Sequence, residues 1–238
     1  DGPHHALNPS WRGVNDAHPW QSCWLDAAGY NSEAPMDNHG HGTHVMGTMV
    51  GRSDVTGDTV GVAWGARWIA SNGVQAVTEN GIIESLQWFA DPDGNPETSD
   101  DVPDVVQNSW RVIPNTAGYA ACDSRWWILI DNCEAAGVVT TWSAGNEGPF
   151  EESIGIPADR ATTALNAFSI GAIDATHGQF PFSLASFSSV GPSDCLNTPE
   201  AFRIKPEVVA PGVEVRSSIP GGQFAQTNWS GSSSTRRW

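Results

Sequence analysis

Lysine is almost absent from this chain of 238 residues, which contains a single one, Lys205. The basic residues number 11 against 27 acidic ones, and the formal net charge is −16. Because the phosphates of nucleic acids and anionic lipid surfaces are bound by Lys and Arg, this balance argues against both as partners. An acidic, lysine-poor surface is typical of a secreted or salt-exposed enzyme, and it is equally typical of an ordinary solvated surface.

The chain also lacks an apolar run long enough to span a membrane, so no membrane partner is expected. It contains no Cys-x-x-Cys motif, which argues against a redox or zinc-ribbon site. Its cysteines are Cys23, Cys122, Cys133 and Cys195. Four cysteines permit three pairings, and the sequence does not choose between them. In an extracellular protein we expect one or two disulfides; the alternative is buried thiols.

The composition favours one substantial core. Apolar residues make up 39% of the chain and include 12 Trp, so we expect a single domain over residues 1–238. Helical patterns fall at 42–51, 82–90 and 125–136, and Gly137 is placed as the stop signal of the last. Strands are predicted at 68–70, 138–142, 168–172, 185–188 and 208–209. This alternation indicates an α/β fold around a buried, mostly parallel sheet.

Three segments carry the residue types of a nucleophilic acyl-transfer site, in the order histidine, amide, serine. The first is His39–Thr48, in which Gly40 and Gly42 flank His41. The second is Ser143–Gly148, which contains Asn146 after a β-rich run, and the third is Ser230–Ser233. Histidine suits the base because its protonation changes near neutral pH, and a side-chain amide suits a developing oxyanion.

These segments resemble the motifs of the subtilisin-like serine proteases (subtilases, peptidase family S8), and in particular their bacillopeptidase F-like members. The resemblance continues through residues 66–70, 105–110, 167–172, 185–192 and 205–212. It implies an α/β, three-layer fold with a mostly parallel central sheet. It also implies a secreted endopeptidase in which His41 is the general base and then acid, Ser233 the nucleophile and Asn146 the oxyanion donor.

The resemblance further implies two walls of a substrate cleft. One is formed by Ser109, Trp110 and Arg111, and the other by Ser143, Ala144 and Gly145. Peptide substrate would lie between them as an added extended strand. Arg111 stands where the family usually has Gly. Its side chain would therefore narrow the pocket, or alternatively it would point into solvent.

Each proposed site residue has an ordinary alternative. Asn146 would also fit a left-handed position in a Gly-flanked turn, and Ser233 would fit a Ser-rich tail. His39, His41 and His44 would also suit a zinc site, although no His-Glu-x-x-His motif is present. The acidic stretch Asp91–Asp104 would hold calcium or simply be solvated, and its spacing does not match an EF-hand.

The family pattern is not met at either end. His4–Leu7 matches a piece that normally follows the catalytic aspartate, so the aspartate and its strand are expected just before Asp1. The family continues after its serine into a long buried helix, whereas this chain reads Ser234–Trp238. We therefore expect a fragment of a protease that is inactive, or nearly so, as it stands.

The sequence thus predicts a secreted, monomeric serine endopeptidase that acts on proteins or peptides. No cofactor is required for the chemistry, and structural calcium is possible at unknown positions. A different class of function is a non-catalytic pseudo-protease that binds extended peptides. A zinc-binding domain is the third hypothesis.

Overall fold

The computed structural model describes residues 4–15, 17–76, 78–116, 118–163, 167–176 and 179–227. Their contacts divide into two compact units. The first is drawn from Asp1–Pro103 and Val215–Thr227, and the second from Asp104–Glu214. The single domain expected over 1–238 stays a prediction. In these described ranges, no helix has both the length and the apolar character needed to cross a membrane.

The regular elements are short. The helices are α1 (Arg12–Asn15), α2 (His41–Val50), α3 (Asn80–Ala90) and α4 (Trp127–Ala135). The strands are β1 (Trp24–Leu25), β2 (Ala70–Ser71), β3 (Val105–Asn108), β4 (Val139–Ser143), β5 (Phe168–Asp174), β6 (Ser183–Leu184), β7 (Val208–Pro211), β8 (Val215–Ile219) and β9 (Gln223–Thr227).

The first unit is built around α2 and an aromatic core. Strands β1 and β2 pair in parallel, and β8 and β9 form an antiparallel hairpin. Helix α2 lies against β8, and Gly47 permits this close approach, because a Cβ there would overlap two serine hydroxyls of the strand. The core beneath consists of Leu7, Trp11, Cys23, Trp24, Val50, Trp68 and Ile69. This packing fixes the position of α2, whose first residue is His41.

The second unit contains the main sheet. Strands β3, β4, β5 and β7 run parallel, with β5 between β4 and β7, and β6 pairs antiparallel to the end of β5. In register, Asn108 of β3 faces Trp142 of β4. The mostly parallel sheet predicted from the sequence is therefore confirmed. The carboxyl ends of β3 and β4 lie side by side, and this is where ligand sites form in such sheets.

Most predicted elements are confirmed. The three helical patterns correspond to α2, α3 and α4, and Gly137 follows α4 with a φ of 93°, the left-handed conformation that glycine favours after a helix. The strand predicted at 185–188 is wrong, because the strand is Ser183–Leu184. Ser188 instead donates its N–H to Ala185 O (2.9 Å), which makes a turn, and its Oγ accepts from Ala172 N (2.9 Å).

The cysteines follow both outcomes that the sequence left open. Cys122 and Cys195 form a disulfide with a Cα–Cα distance of 5.1 Å. Cys23 and Cys133 are buried thiols. Burial raises the pKa of the Cys133 thiol to about 11, so it stays protonated and unreactive at neutral pH.

Candidate active site

His41 is the first residue of α2. The chain enters the helix through Gly40, whose φ of 92° is a left-handed conformation that glycine adopts without strain. Asp37 closes the helix start, since its carboxylate accepts the backbone N–H groups of Gly40 (2.8 Å) and Thr43 (2.7 Å) and the Thr43 hydroxyl (2.8 Å). The backbone around His41 is thereby held by a side-chain cap.

Asp37 has a structural role that the sequence did not reveal. Burial raises its pKa, but the hydrogen bonds from Thr43, Gly40 and His39 favour the charged form, and the net pKa lies below the ordinary value. The carboxylate is therefore ionised at neutral pH at the positive end of the helix dipole. Its oxygens accept hydrogen bonds from the start of the helix and, at 3.2 Å, from the side-chain amide of Gln75.

The His41 imidazole is poised as a neutral base. Burial lowers its pKa, and His39 and His44 lower it further, while the Asp37 charge raises it. The net pKa is below 6.5, so the ring is unprotonated at pH 7 and can accept a proton.

The zinc hypothesis gains no geometric support. Although His39, His41 and His44 all belong to the described residues, they do not bring three ligand nitrogens within 4.8 Å of one another. His44 is buried, and its Nε2 lies 3.0 Å from Val215 O, a hydrogen bond that anchors α2 to β8.

In the second unit, both predicted walls of the substrate cleft follow the carboxyl ends of adjacent parallel strands. Ser109–Arg111 follow β3, while Ser143 ends β4 and Ala144 and Gly145 follow it. The first wall is anchored by Trp110, which is buried and donates its indole N–H to Asn108 Oδ1 at 3.1 Å. Its ring packs edge-on against Trp142 of β4, with the centroids 5.0 Å apart. The two predicted segments therefore share one edge of the sheet.

Arg111 corrects one expectation. It does not point into solvent: it is 7% exposed, and its guanidinium forms a two-pronged ion pair with the Glu147 carboxylate, with Nε 2.8 Å from Oε2. Gly155 allows this, because a Cβ there would collide with the Arg111 side chain. The ion pair links the segment after β3 to the segment after β4.

Glu147 in turn holds the backbone of Asn146. Its Oε2 accepts the Asn146 N–H at 3.0 Å, and the Glu147 N–H donates to Ser189 Oγ at 3.1 Å. The left-handed backbone falls on Gly145, with a φ of 121°, and not on Asn146. The turn interpretation of Asn146 is therefore wrong in its geometry. Glu147 and Ser189 were missed from the sequence, where only the opposite charges of Arg111 and Glu147 hinted at a pair.

The predicted residues fall in different parts of the molecule. His41 belongs to the first unit, and Asn146 and both cleft walls belong to the second. Ser233 lies outside the described residues. The structure thus brings together the two walls, Asn146 and Arg111, and it places His41 on a capped helix.

Comparison with known families adds a second line of information. The model of the "Subtilase family" matches residues 3–237. Bacillopeptidase F of Bacillus subtilis (strain 168) is 36% identical over an alignment that covers 97% of this chain and 15% of that protein. Subtilisin NAT of Bacillus subtilis subsp. natto is 27% identical, with 91% of this chain and 49% of that protein covered. The chain thus spans half or less of the length of these two relatives.

Solved structures agree on the fold. Sphericase superposes with a TM-score of 0.69 at 21% identity, covering 96% of this chain and 70% of that one. S41 Psychrophilic Protease gives a TM-score of 0.63 at 22% identity, covering 96% and 73%. These likenesses confirm the predicted subtilisin-like α/β fold.

Proposed function

The chain belongs to the subtilase family, and on that premise we propose that it provides the catalytic machinery of a secreted serine endopeptidase. The observation that carries the proposal is the placement of Ser109–Arg111 and Ser143–Asn146 at the carboxyl ends of two adjacent parallel strands. We infer that these two segments, which continue from the strand ends, pair with a peptide as an added extended strand. The class of substrate is therefore a polypeptide in an extended conformation.

In the proposed reaction, the Ser233 hydroxyl attacks the scissile carbonyl while His41 accepts its proton. The proton then passes from His41 to the leaving amine, and an acyl-enzyme forms. Water, activated by His41, releases the acid product. Neutral His41 suits the first step, since its pKa is lowered by burial. The side-chain amide of Asn146 and the backbone N–H of Ser233 stabilise the oxyanion.

Arg111 and Glu147 are proposed as positioning residues in this scheme. Their ion pair fixes the Glu147 carboxylate, which accepts the N–H of Asn146. An oxyanion donor is effective only when it is preorganised, so the pair would act through the placement of Asn146. Arg111 would thus line the cleft with a buried, neutralised group instead of a mobile cation.

We base the proposal that the protein is secreted on its disulfide. Cys122 and Cys195 lie at bonding geometry in the structure, and such bonds persist in oxidising compartments. The prediction of a monomer, the absence of a required cofactor and the lack of nucleic-acid partners stay predictions.

No residue of this chain is assigned as the aspartate of the triad, so the proposal is tested on the full gene product with a peptide substrate carrying a fluorescent leaving group. We expect Ser233→Ala to abolish turnover, and Asn146→Ala to lower kcat by about 100- to 1000-fold, the range known for the oxyanion amide in subtilisin itself. Asn115→Ala, at a left-handed turn position unconnected to the proposed roles, serves as the matched amide control. Hydrolysis that survives Ser233→Ala would contradict the proposal. Peptide binding without any hydrolysis would favour the pseudo-protease.

A further inference from the structure

A group of three carboxylates lies in the first unit, and none of them has a role in the proposed catalysis. Asp91 follows the last residue of α3, and Asp93 and Asp101 lie in the acidic loop beyond it. One oxygen from each comes within 4.8 Å of the others. We propose that Asp91, Asp93 and Asp101 bind a calcium ion that ties this loop to the end of α3.

The observation that points to a ligand is an oxygen of Asp101 that has no partner. Asp101 is 1% exposed. Its Oδ2 accepts the N–H of Asp93 at 2.8 Å, but its Oδ1 is buried and makes no hydrogen bond. Leaving a buried carboxylate oxygen unsatisfied is costly. A cation bound at the group would supply the missing partner.

The spacing of the group suits calcium. Calcium is coordinated by six to eight oxygens at about 2.3–2.6 Å, so ligands on opposite sides of the ion are about 4.8 Å apart. Oxygens of the three carboxylates lie within 4.8 Å of one another, close enough to share one ion. Asp93 is exposed, and its carboxylate accepts the Asn95 N–H (2.8 Å) and the Thr98 hydroxyl (3.1 Å). Backbone carbonyls and water would complete the coordination sphere, as is usual for calcium.

The surrounding charges favour a divalent cation. The three carboxylates carry three formal negative charges at short range, which attract a divalent cation. The basic groups on the neighbouring segment have other contacts. Arg12 donates to the carbonyl oxygens of Asp100 and Asp101, both at 3.0 Å, and His18 Nε2 lies 3.3 Å from the Asp100 carboxylate. An all-oxygen ligand set prefers calcium or magnesium over zinc.

Isothermal titration with CaCl₂ tests the proposal on the full chain after it has been stripped with EDTA. We expect a calcium-binding event whose affinity falls at least about tenfold in Asp93→Asn and in Asp101→Asn, since even indirect partners of metal ligands are worth 10- to 100-fold. Glu97→Gln removes a charge from the same exposed loop and is the matched control. Its affinity should equal that of the parent.

Thermal unfolding gives a second readout. A calcium excess of a hundredfold over Kd should raise Tm by about 5–10 °C. At the same calcium concentration this rise should fall to about half or less in Asp93→Asn, an exposed position at which the fold can be verified by circular dichroism. That variant decides the question should Asp101→Asn fail to fold.

Two outcomes overturn the proposal: no calcium-dependent heat or Tm rise in the parent, or unchanged affinity in both aspartate variants. Magnesium binding as tightly as calcium overturns the choice of ion. None of these readouts depends on proteolysis, so failure here is distinct from failure of the proposed function.

Discussion

Asp159 is a buried acid, and its ionisation should make the second unit less stable as the pH rises. The residue is 1% exposed, its Oδ2 accepts the N–H of Cys122 at 2.8 Å, and its Oδ1 has no hydrogen-bond partner. Burial raises its pKa to about 7, while the Cys122 N–H and the charge of Lys205 oppose that rise. The folded state therefore holds this proton more tightly than the unfolded state does.

The direction and the size of this change in the free energy of unfolding follow from proton linkage. Below pH 3.8, the ordinary pKa of the side chain, Asp159 is protonated in both states, and its contribution to stability is fully present. Above that pH the unfolded state loses the proton first, so stability falls until the folded pKa of about 7 is passed. A pKa raised from 3.8 to about 7 corresponds to a loss of about 4 kcal/mol across this window.

The assay is urea unfolding of the parent and of Asp159→Asn between pH 4 and pH 8.5, with the disulfide intact. The amide keeps an oxygen for the Cys122 N–H but cannot ionise, so the variant should lose this part of the pH dependence. Relative to the parent, it should gain up to about 4 kcal/mol between pH 4 and pH 8. Glu151→Gln, at an exposed acid, controls for the general loss of a charge. A parent–variant difference that stays constant with pH would refute the reasoning.

Three further changes test other contacts. Arg111→Met should lower the free energy of unfolding in urea by about 2–3 kcal/mol. This is less than the loss expected for a fully buried ion pair, because the Glu147 side chain is 26% exposed. Adding Glu147→Gln should recover most of the lost stability, and no recovery would count against the ion pair. Gly47→Ala should cost about 1–3 kcal/mol despite the better helix propensity of Ala, because its Cβ overlaps β8; an unchanged Tm would contradict this packing. Replacing Cys122 and Cys195 by Ser should cost about 4 kcal/mol, as expected for a separation of 73 residues; equal urea midpoints with and without reductant would show that the bond is absent.

The predictable part of the fold has a strong local pattern. Helix α3 shows apolar residues at helical spacing and ends where Asp91-Pro92 breaks the pattern, and α4 ends before Gly137. Strand β4 is a run of β-branched and aromatic residues. In each case the signal lies within a dozen residues, where periodicity and stop signals act.

The hairpin of β8 and β9 has no such pattern. Ser217 and Ser218 are buried polar residues, and their hydroxyls donate to carbonyl oxygens of α2, those of His44 (2.8 Å) and Thr43 (3.0 Å). These partners lie more than 170 positions away in the chain. Burial of serine that depends on a distant helix leaves no local signal.

In the candidate site, too, some residues could be identified from local sequence motifs and others could not. His41 and Asn146 were identified because their flanking glycines form dense local motifs. The Arg111–Glu147 pair and the helix cap by Asp37 were not, since each depends on side-chain geometry created by the fold. The resemblance therefore assigned the roles, and the structure added the residues that hold them in place.

The central claim, a serine nucleophile activated by histidine, is tested most directly by labelling with a fluorophosphonate probe, followed by mass spectrometry of the tryptic peptides. In the full gene product we expect label on Ser233, none in the Ser233→Ala variant, and strongly reduced label in the His41→Ala variant. The claim would be contradicted if the protein stayed unlabelled while circular dichroism showed that it is folded. It would also be contradicted if label survived in the Ser233→Ala variant.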